Sequence, residues 1–143
     1  MSIIVALLIF GLLIFFHELG HFLLAKRGGI GVTSFSIGMG PAIWKKQVGE
    51  TEYALRILPF GGSCAMVGED EESDAENAFN KKGVWTRISV VAAGPIFNFI
   101  LAFVGAIIMI LCIGVDKPII SEMMDGYPAY EAGVRAGDEI ISM

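Results

Sequence analysis

Two long apolar runs divide the chain, from Ile3 to Ala25 and from Ile88 to Val115. About 20 consecutive apolar residues cross the hydrocarbon of a bilayer, so each run predicts a spanning helix. Lys26 and Arg27 stop the first at an interface. The second carries no charge and is long enough to cross with tilt or a bent start. Gly94-Pro95 near its beginning predicts either a kink or a first helical turn. Between the runs, Gly28 to Gly83 is polar and rich in glycine. Gly28-Gly29-Ile30-Gly31 ends any helix, and Phe35 to Met39 alternates as a short strand does. Trp44 to Gln47 and Tyr53 to Leu58 flank Val48-Gly49-Glu50, the pattern of a β-hairpin with a glycine turn. Pro59 is expected to end it, with Phe60-Gly61-Gly62 looping away. Asn80 to Arg87 is basic and holds Trp85, which suits an interfacial anchor. After the second run, Pro118-Ile119-Ile120 reads as a strand, Pro128 to Val134 as a short helix closed by glycine, and Arg135 to Ile141 as a turn returning to a strand. About 26 residues are too few to bury a core, so the tail reads as the opening of a domain that is cut off at Met143. The predicted segments are 1–27, 28–83, 84–115 and 116–143. The expected class is a mainly α-helical membrane protein with two transmembrane helices joined by a loop that holds a β-hairpin.

Composition supports that class. The 143 residues are 55% hydrophobic and 17% charged, with a mean hydropathy of +0.68. The formal charge of −5 says little about partners, because the acids cluster between Glu69 and Glu76 in one solvated loop. No basic stripe with interleaved aromatics suggests nucleic acid. Cys64 and Cys112 are too far apart in pattern to form a disulfide framework, and both read as free thiols. The first run lacks the basic start and Ala-x-Ala site of a signal peptide and exceeds the usual length, so it reads as retained.

Orientation follows from Lys and Arg. Eight lie between the runs (Lys26, Arg27, Lys45, Lys46, Arg56, Lys81, Lys82, Arg87) and two after them (Lys117, Arg135). The positive-inside rule places the middle loop in the cytoplasm and both termini on the opposite side.

The first run contains His17-Glu18-Leu19-Gly20-His21. A charged carboxylate in hydrocarbon costs about 2.5 to 3.5 kcal/mol on insertion scales, so these polar groups need a reason. A helix brings residues four apart onto one face, and His17 and His21 can grip one metal ion together. Glu18, next to the first ligand, can act as general base on a water that the metal activates. The plain alternative is a pair of interfacial histidines beside a snorkelling glutamate. A third ligand is harder to find. A metzincin spacing needs a histidine six residues beyond His21, where Arg27 stands, and Glu50 and Glu52 belong to the hairpin. Two further features stay open. Asn98, a strongly polar residue in the second run, is either a helix packing contact or a holder of substrate backbone beside the metal. The hairpin is either a plain cover or an edge strand that pairs with an extended peptide.

Four stretches together resemble the bacterial site-2 proteases, the intramembrane zinc metalloproteases that include the regulator of sigma-E protease. They are Phe16 to His21; Pro59-Phe60-Gly61-Gly62 with Met66-Val67-Gly68-Glu69; Arg87 with Ala93 to Phe99; and Pro128-Ala129 to Asp138. The resemblance implies zinc (Zn2+) on His17 and His21, Glu18 as the catalytic residue, and Asn98 in the family's Gly-Pro-x-x-Asn stretch, assigned here to substrate binding. It implies a membrane-associated β-hairpin near Phe35 to Leu58 and the truncated start of a PDZ domain from Pro118. It implies a multi-pass protein of the bacterial inner membrane that cleaves spanning segments of regulatory proteins, often anti-sigma factors. The family's third zinc ligand is an aspartate on a later membrane helix, after the PDZ region. The chain as given is therefore expected to bind zinc weakly and to be inactive alone, as a fragment. The rival readings are a membrane adaptor whose PDZ tail binds peptides without chemistry, and a metal carrier using the histidines as transit ligands. The first predicts no zinc, the second metal flux without cleavage.

Overall fold

The computed structural model describes residues 2–114, 118–122, 124 and 126–140. Val115, Lys117, Ile141 and Met143, which served above as segment bounds or charges, lie outside the described residues. The chain falls into two units, residues 1–105 and 106–143.

Helix α1 runs from Ser2 to Arg27 and helix α2 from Val84 to Ile113. Both are long and apolar enough to cross a membrane, with mean hydropathies of 2.4 and 2.8. Neither confines its apolar side chains to one stripe. Ile3, Ile9, Phe103 and Leu111 all stand exposed on the protein surface, as expected of helices whose solvent is hydrocarbon. Pro95 lies inside α2 and neither starts nor ends it. The helix begins eleven residues earlier, at Val84. The proline removes the N–H that would otherwise serve the Val91 carbonyl.

The loop between the helices departs from the predicted hairpin. Strand β1 spans Val32–Val48 and β2 spans Thr51–Met66, joined by the expected turn at Gly49. Pro59 does not end β2; the strand continues to Met66. Both strands bend midway, and the first half of β1 then lies between the two halves of β2. Ser36 partners Ser63 on one side and Ala54 on the other; Phe35 partners Cys64 and Tyr53. The outer half of β1 closes the usual antiparallel ladder, from Val48–Thr51 to Trp44–Leu55. The partners Ser34–Glu52 to Ile37–Leu55 advance in step along both strands, which is parallel pairing within an otherwise antiparallel sheet. The bends fall at Gly38 and Gly61, with φ of 86° at each, a region nearly closed to other residues. Proline is tolerated at such an irregularity where it would break a central ladder. Helices consequently hold under half of the chain, and the expectation of a mainly α-helical protein gives way to two helices and a four-segment sheet.

Helix α1 lies on this sheet. Phe15 and Phe22 meet Phe35 at centroid distances of 6.5 and 5.0 Å, and Phe22 meets Tyr53 at 5.9 Å. The small core beneath joins Ala25, Ile30, Val32 and Val90. The Lys26 ammonium reaches Glu50 at 2.8 Å and ties the hairpin turn to the end of α1. In the second unit the described residues form a bridge between Ile119 and Glu139 and a helix α3 at Pro128–Glu131. The short helix expected of the tail is present there; the two expected strands are represented by the bridge pair alone, and no strand forms among the described residues.

Candidate metal site

The site is built on one turn of α1. Successive helical residues rotate by about 100°, so His17 and His21 share a face while Glu18 is turned away from them. The neighbours differ accordingly. Both histidines face α2; Glu18 faces the sheet, where its Cγ would lie 3.1 Å from a side chain added at Gly62.

The two imidazoles stand edge to face, with centroids 4.8 Å apart. Their outer nitrogens converge on α2 at Gly94. A Cβ on Gly94 would lie 2.5 Å from Nε2 of His21 and 2.7 Å from Nε2 of His17. Glycine at this position is what lets both rings turn the same nitrogen to one place. One turn away, a Cβ on Gly20 would lie 2.6 Å from the Ala93 carbonyl oxygen, so small residues on both helices bring the backbones close enough for the rings to reach.

The inner nitrogens are anchored. Nδ1 of His21 lies 2.8 Å from the Val90 carbonyl oxygen. A carbonyl only accepts, so Nδ1 carries the proton and Nε2 is left with a free lone pair. Nδ1 of His17 faces the amide nitrogen of Asn98 at 3.3 Å, and the Asn98 amide oxygen is buried without a partner.

Clefts open on both sides of the pair. One, about 380 Å³, is lined by Glu18, His21, Ser63, Cys64, Glu69 and Val90. The other, about 430 Å³, is apolar apart from His17 and Asn98 and includes Leu13, Pro95, Phe99 and Ala102. The polar cleft is bounded by the last segment of β2, where Glu69 accepts a hydrogen bond from the Met66 backbone N–H at 3.3 Å. Burial pushes the Cys64 thiol from 9.0 up to about 12, helped by the charges of Glu18 and Glu69 and opposed by Lys26. With no metal beside it, it is a neutral thiol at physiological pH.

Two imidazoles on one helical face and a carboxylate on the next are a donor set of the kind that suits a divalent cation of the zinc type. No group of three His, Cys, Asp or Glu side chains able to hold such an ion occurs among the described residues. Glu50 and Glu52 are engaged elsewhere, with Lys26 at 2.8 Å and Lys45 at 3.0 Å. The structure thus brings His17, Glu18, His21 and Asn98 together. It adds Gly94, the Val90 carbonyl, Ser63, Cys64 and Glu69. Gly94 and Glu69 lay within stretches already singled out, but their contacts join segments 50 to 80 residues apart, which no local spacing reveals.

The sequence model of peptidase family M50 matches residues 5–140. A relative from Clostridium perfringens, named as a zinc metalloprotease, is 46% identical over 143 residues, covering all of this chain and 43% of the relative. The regulator of sigma-E protease RseP of Escherichia coli is 40% identical over 147 residues, covering 97% of this chain and 32% of RseP. The regulator of sigma-W protease RasP of Bacillus subtilis is 31% identical over 225 residues, covering 99% of this chain and 53% of RasP. The chain therefore spans between about a third and about half of the length of these relatives.

Proposed function

The chain belongs to peptidase family M50, and we propose that it carries the metal-binding and general-base half of an intramembrane zinc endopeptidase of the site-2 type. The observation that supports this best is the convergence of both Nε2 atoms at Gly94 with Glu18 turned toward the adjoining polar cleft. His17 and His21 would hold zinc through Nε2. When bound there, the ion acidifies water and polarises the scissile carbonyl. Glu18 takes the proton from the attacking water and delivers it to the leaving amine. The cleft beside Glu18 gives water a polar approach, and the neighbouring segment of β2 offers an extended substrate a strand to pair with. An unwound substrate is required, because a helical carbonyl is already hydrogen-bonded and shielded.

Catalytic zinc takes three protein ligands plus water. In this reading the third comes from sequence of the kind that the longer relatives possess, and residues 1–143 alone bind zinc weakly and do not turn over. The substrate class is a membrane-spanning regulatory protein, an anti-sigma factor being the first candidate given the names of RseP and RasP. Residues 118–140 open a PDZ-like domain, and the 28–83 loop is cytoplasmic.

The test is Glu18→Gln in the protein together with sequence of the kind its longer relatives possess, with a membrane-spanning substrate. Cleavage is lost while zinc content stays at the unsubstituted level. Retained turnover contradicts the assignment of Glu18.

A further inference from the structure

We infer that Asn98 is the positioning residue for His17: its amide oxygen accepts the Nδ1 proton and so frees Nε2 for the metal. The inference rests on the metal-site reading above. To hold a cation through Nε2, a neutral imidazole must carry its proton on Nδ1. His21 meets this condition through the Val90 carbonyl, which can only accept, at 2.8 Å. Nδ1 of His17 faces Asn98, the amide nitrogen 3.3 Å away. An amide NH2 only donates, so this pairing puts the His17 proton on Nε2 and blocks that atom as a ligand. The other end of the same amide, Oδ1, is buried and has no partner.

The opposite orientation of the amide satisfies His17 Nδ1–H and leaves the buried Oδ1 no longer without a donor. A half turn of the amide exchanges nitrogen and oxygen at nearly constant shape. Oδ1 then accepts from Nδ1–H, and Nε2 of His17 gains a free lone pair beside that of His21. The two histidines thus reach the same tautomer by different means. The partner of His21 is fixed by the backbone of α2. The partner of His17 is the side-chain amide of Asn98. In this account Asn98 touches neither substrate nor reacting atoms, and its assignment to substrate binding is replaced by a role acting through His17. It also sits in the apolar cleft with Leu13, Pro95 and Phe99, on the side of the pair away from Glu18, consistent with orienting a ligand and not with holding a peptide near the general base.

The experiment measures Zn2+ affinity of the detergent-solubilised protein, together with sequence of the kind its longer relatives possess, by competition with a chelator, in the unsubstituted form, Asn98→Asp and Asn98→Leu. Loss of an outer partner of a ligating histidine costs roughly 10- to 100-fold in metal affinity. Asn98→Leu keeps the volume but cannot accept, and is expected to weaken zinc by that factor. Asn98→Asp, which only accepts, is expected to stay within about threefold of the unsubstituted protein. With zinc restored to saturation, Asn98→Leu is expected to recover cleavage with an unchanged KM. Unaltered zinc affinity in Asn98→Leu overturns the inference, as does equal weakening in both variants or a raised KM at saturating zinc. Failure of the unsubstituted protein to take up zinc overturns the metal-site reading itself, and this inference with it.

Discussion

Glu18, His17 and His21 share one helical turn yet answer to different neighbours, and that division is what makes the turn chemical. The spacing of the three was legible in the sequence, because an i, i+4 pair on a helix needs only local geometry. The placement of Gly94 was not. It depends on two helices approaching until a single added methyl would collide with both ring nitrogens. Cys64 is a second residue whose character comes from its surroundings. In the sequence it is an unremarked free thiol; in the fold it is half-buried beside Glu18 and Glu69 and holds its proton up to about pH 12. Its pKa is raised, so the folded state favours the neutral thiol. The unfolded chain ionises near 9.0, and the contribution of this group to stability declines as pH rises from there toward 12. Iodoacetamide at pH 8.5 is accordingly expected to label Cys64 at least tenfold more slowly in the folded protein than in the denatured chain. Equal rates contradict the buried, acid-flanked placement.

Among the elements, the sheet was the least legible. The turn at Gly49 follows from Val48-Gly49-Glu50 between two alternating runs, and the structure keeps it. Pro59 read as a terminator because proline supplies no ladder donor. The strand passes it by bending, and the segment beyond finds its partner 27 residues back, Ser63 against Ser36. That pairing is what brings residues 62–66 to the polar cleft. Gly61→Val tests the bend. A β-branched residue held at a φ of 86° costs about 1 to 2 kcal/mol and favours a straighter β2. The expected outcome is lower thermal stability and at least tenfold slower cleavage with zinc content unchanged. Full cleavage activity in Gly61→Val argues that the last segment of β2 has no part in substrate handling. Pro95 read as a kink or a start; α2 begins at Val84, so Pro95 is not its start.

At the scale of the whole molecule, two long helices with many exposed apolar side chains are joined by a polar loop tied to the end of α1. Composition alone made this legible, since no soluble core could bury both runs. The orientation rests on the Lys and Arg distribution. A cysteine introduced at Ser73, in the exposed acid-rich part of the loop, is expected to react with a membrane-impermeant maleimide only when the cytoplasmic face is opened. Labelling from outside intact cells contradicts the cytoplasmic loop.

The central claim is that this loop and these helices exist to hold a divalent ion between His17 and His21 against Gly94. Elemental analysis of the purified protein together with the sequence of its longer relatives' kind tests it most directly, in the unsubstituted form and in His17→Ala and Gly94→Ala. The account predicts close to one zinc per chain in the first and at least a tenfold loss of affinity in both variants. Protein without zinc, or zinc that survives both substitutions, contradicts it.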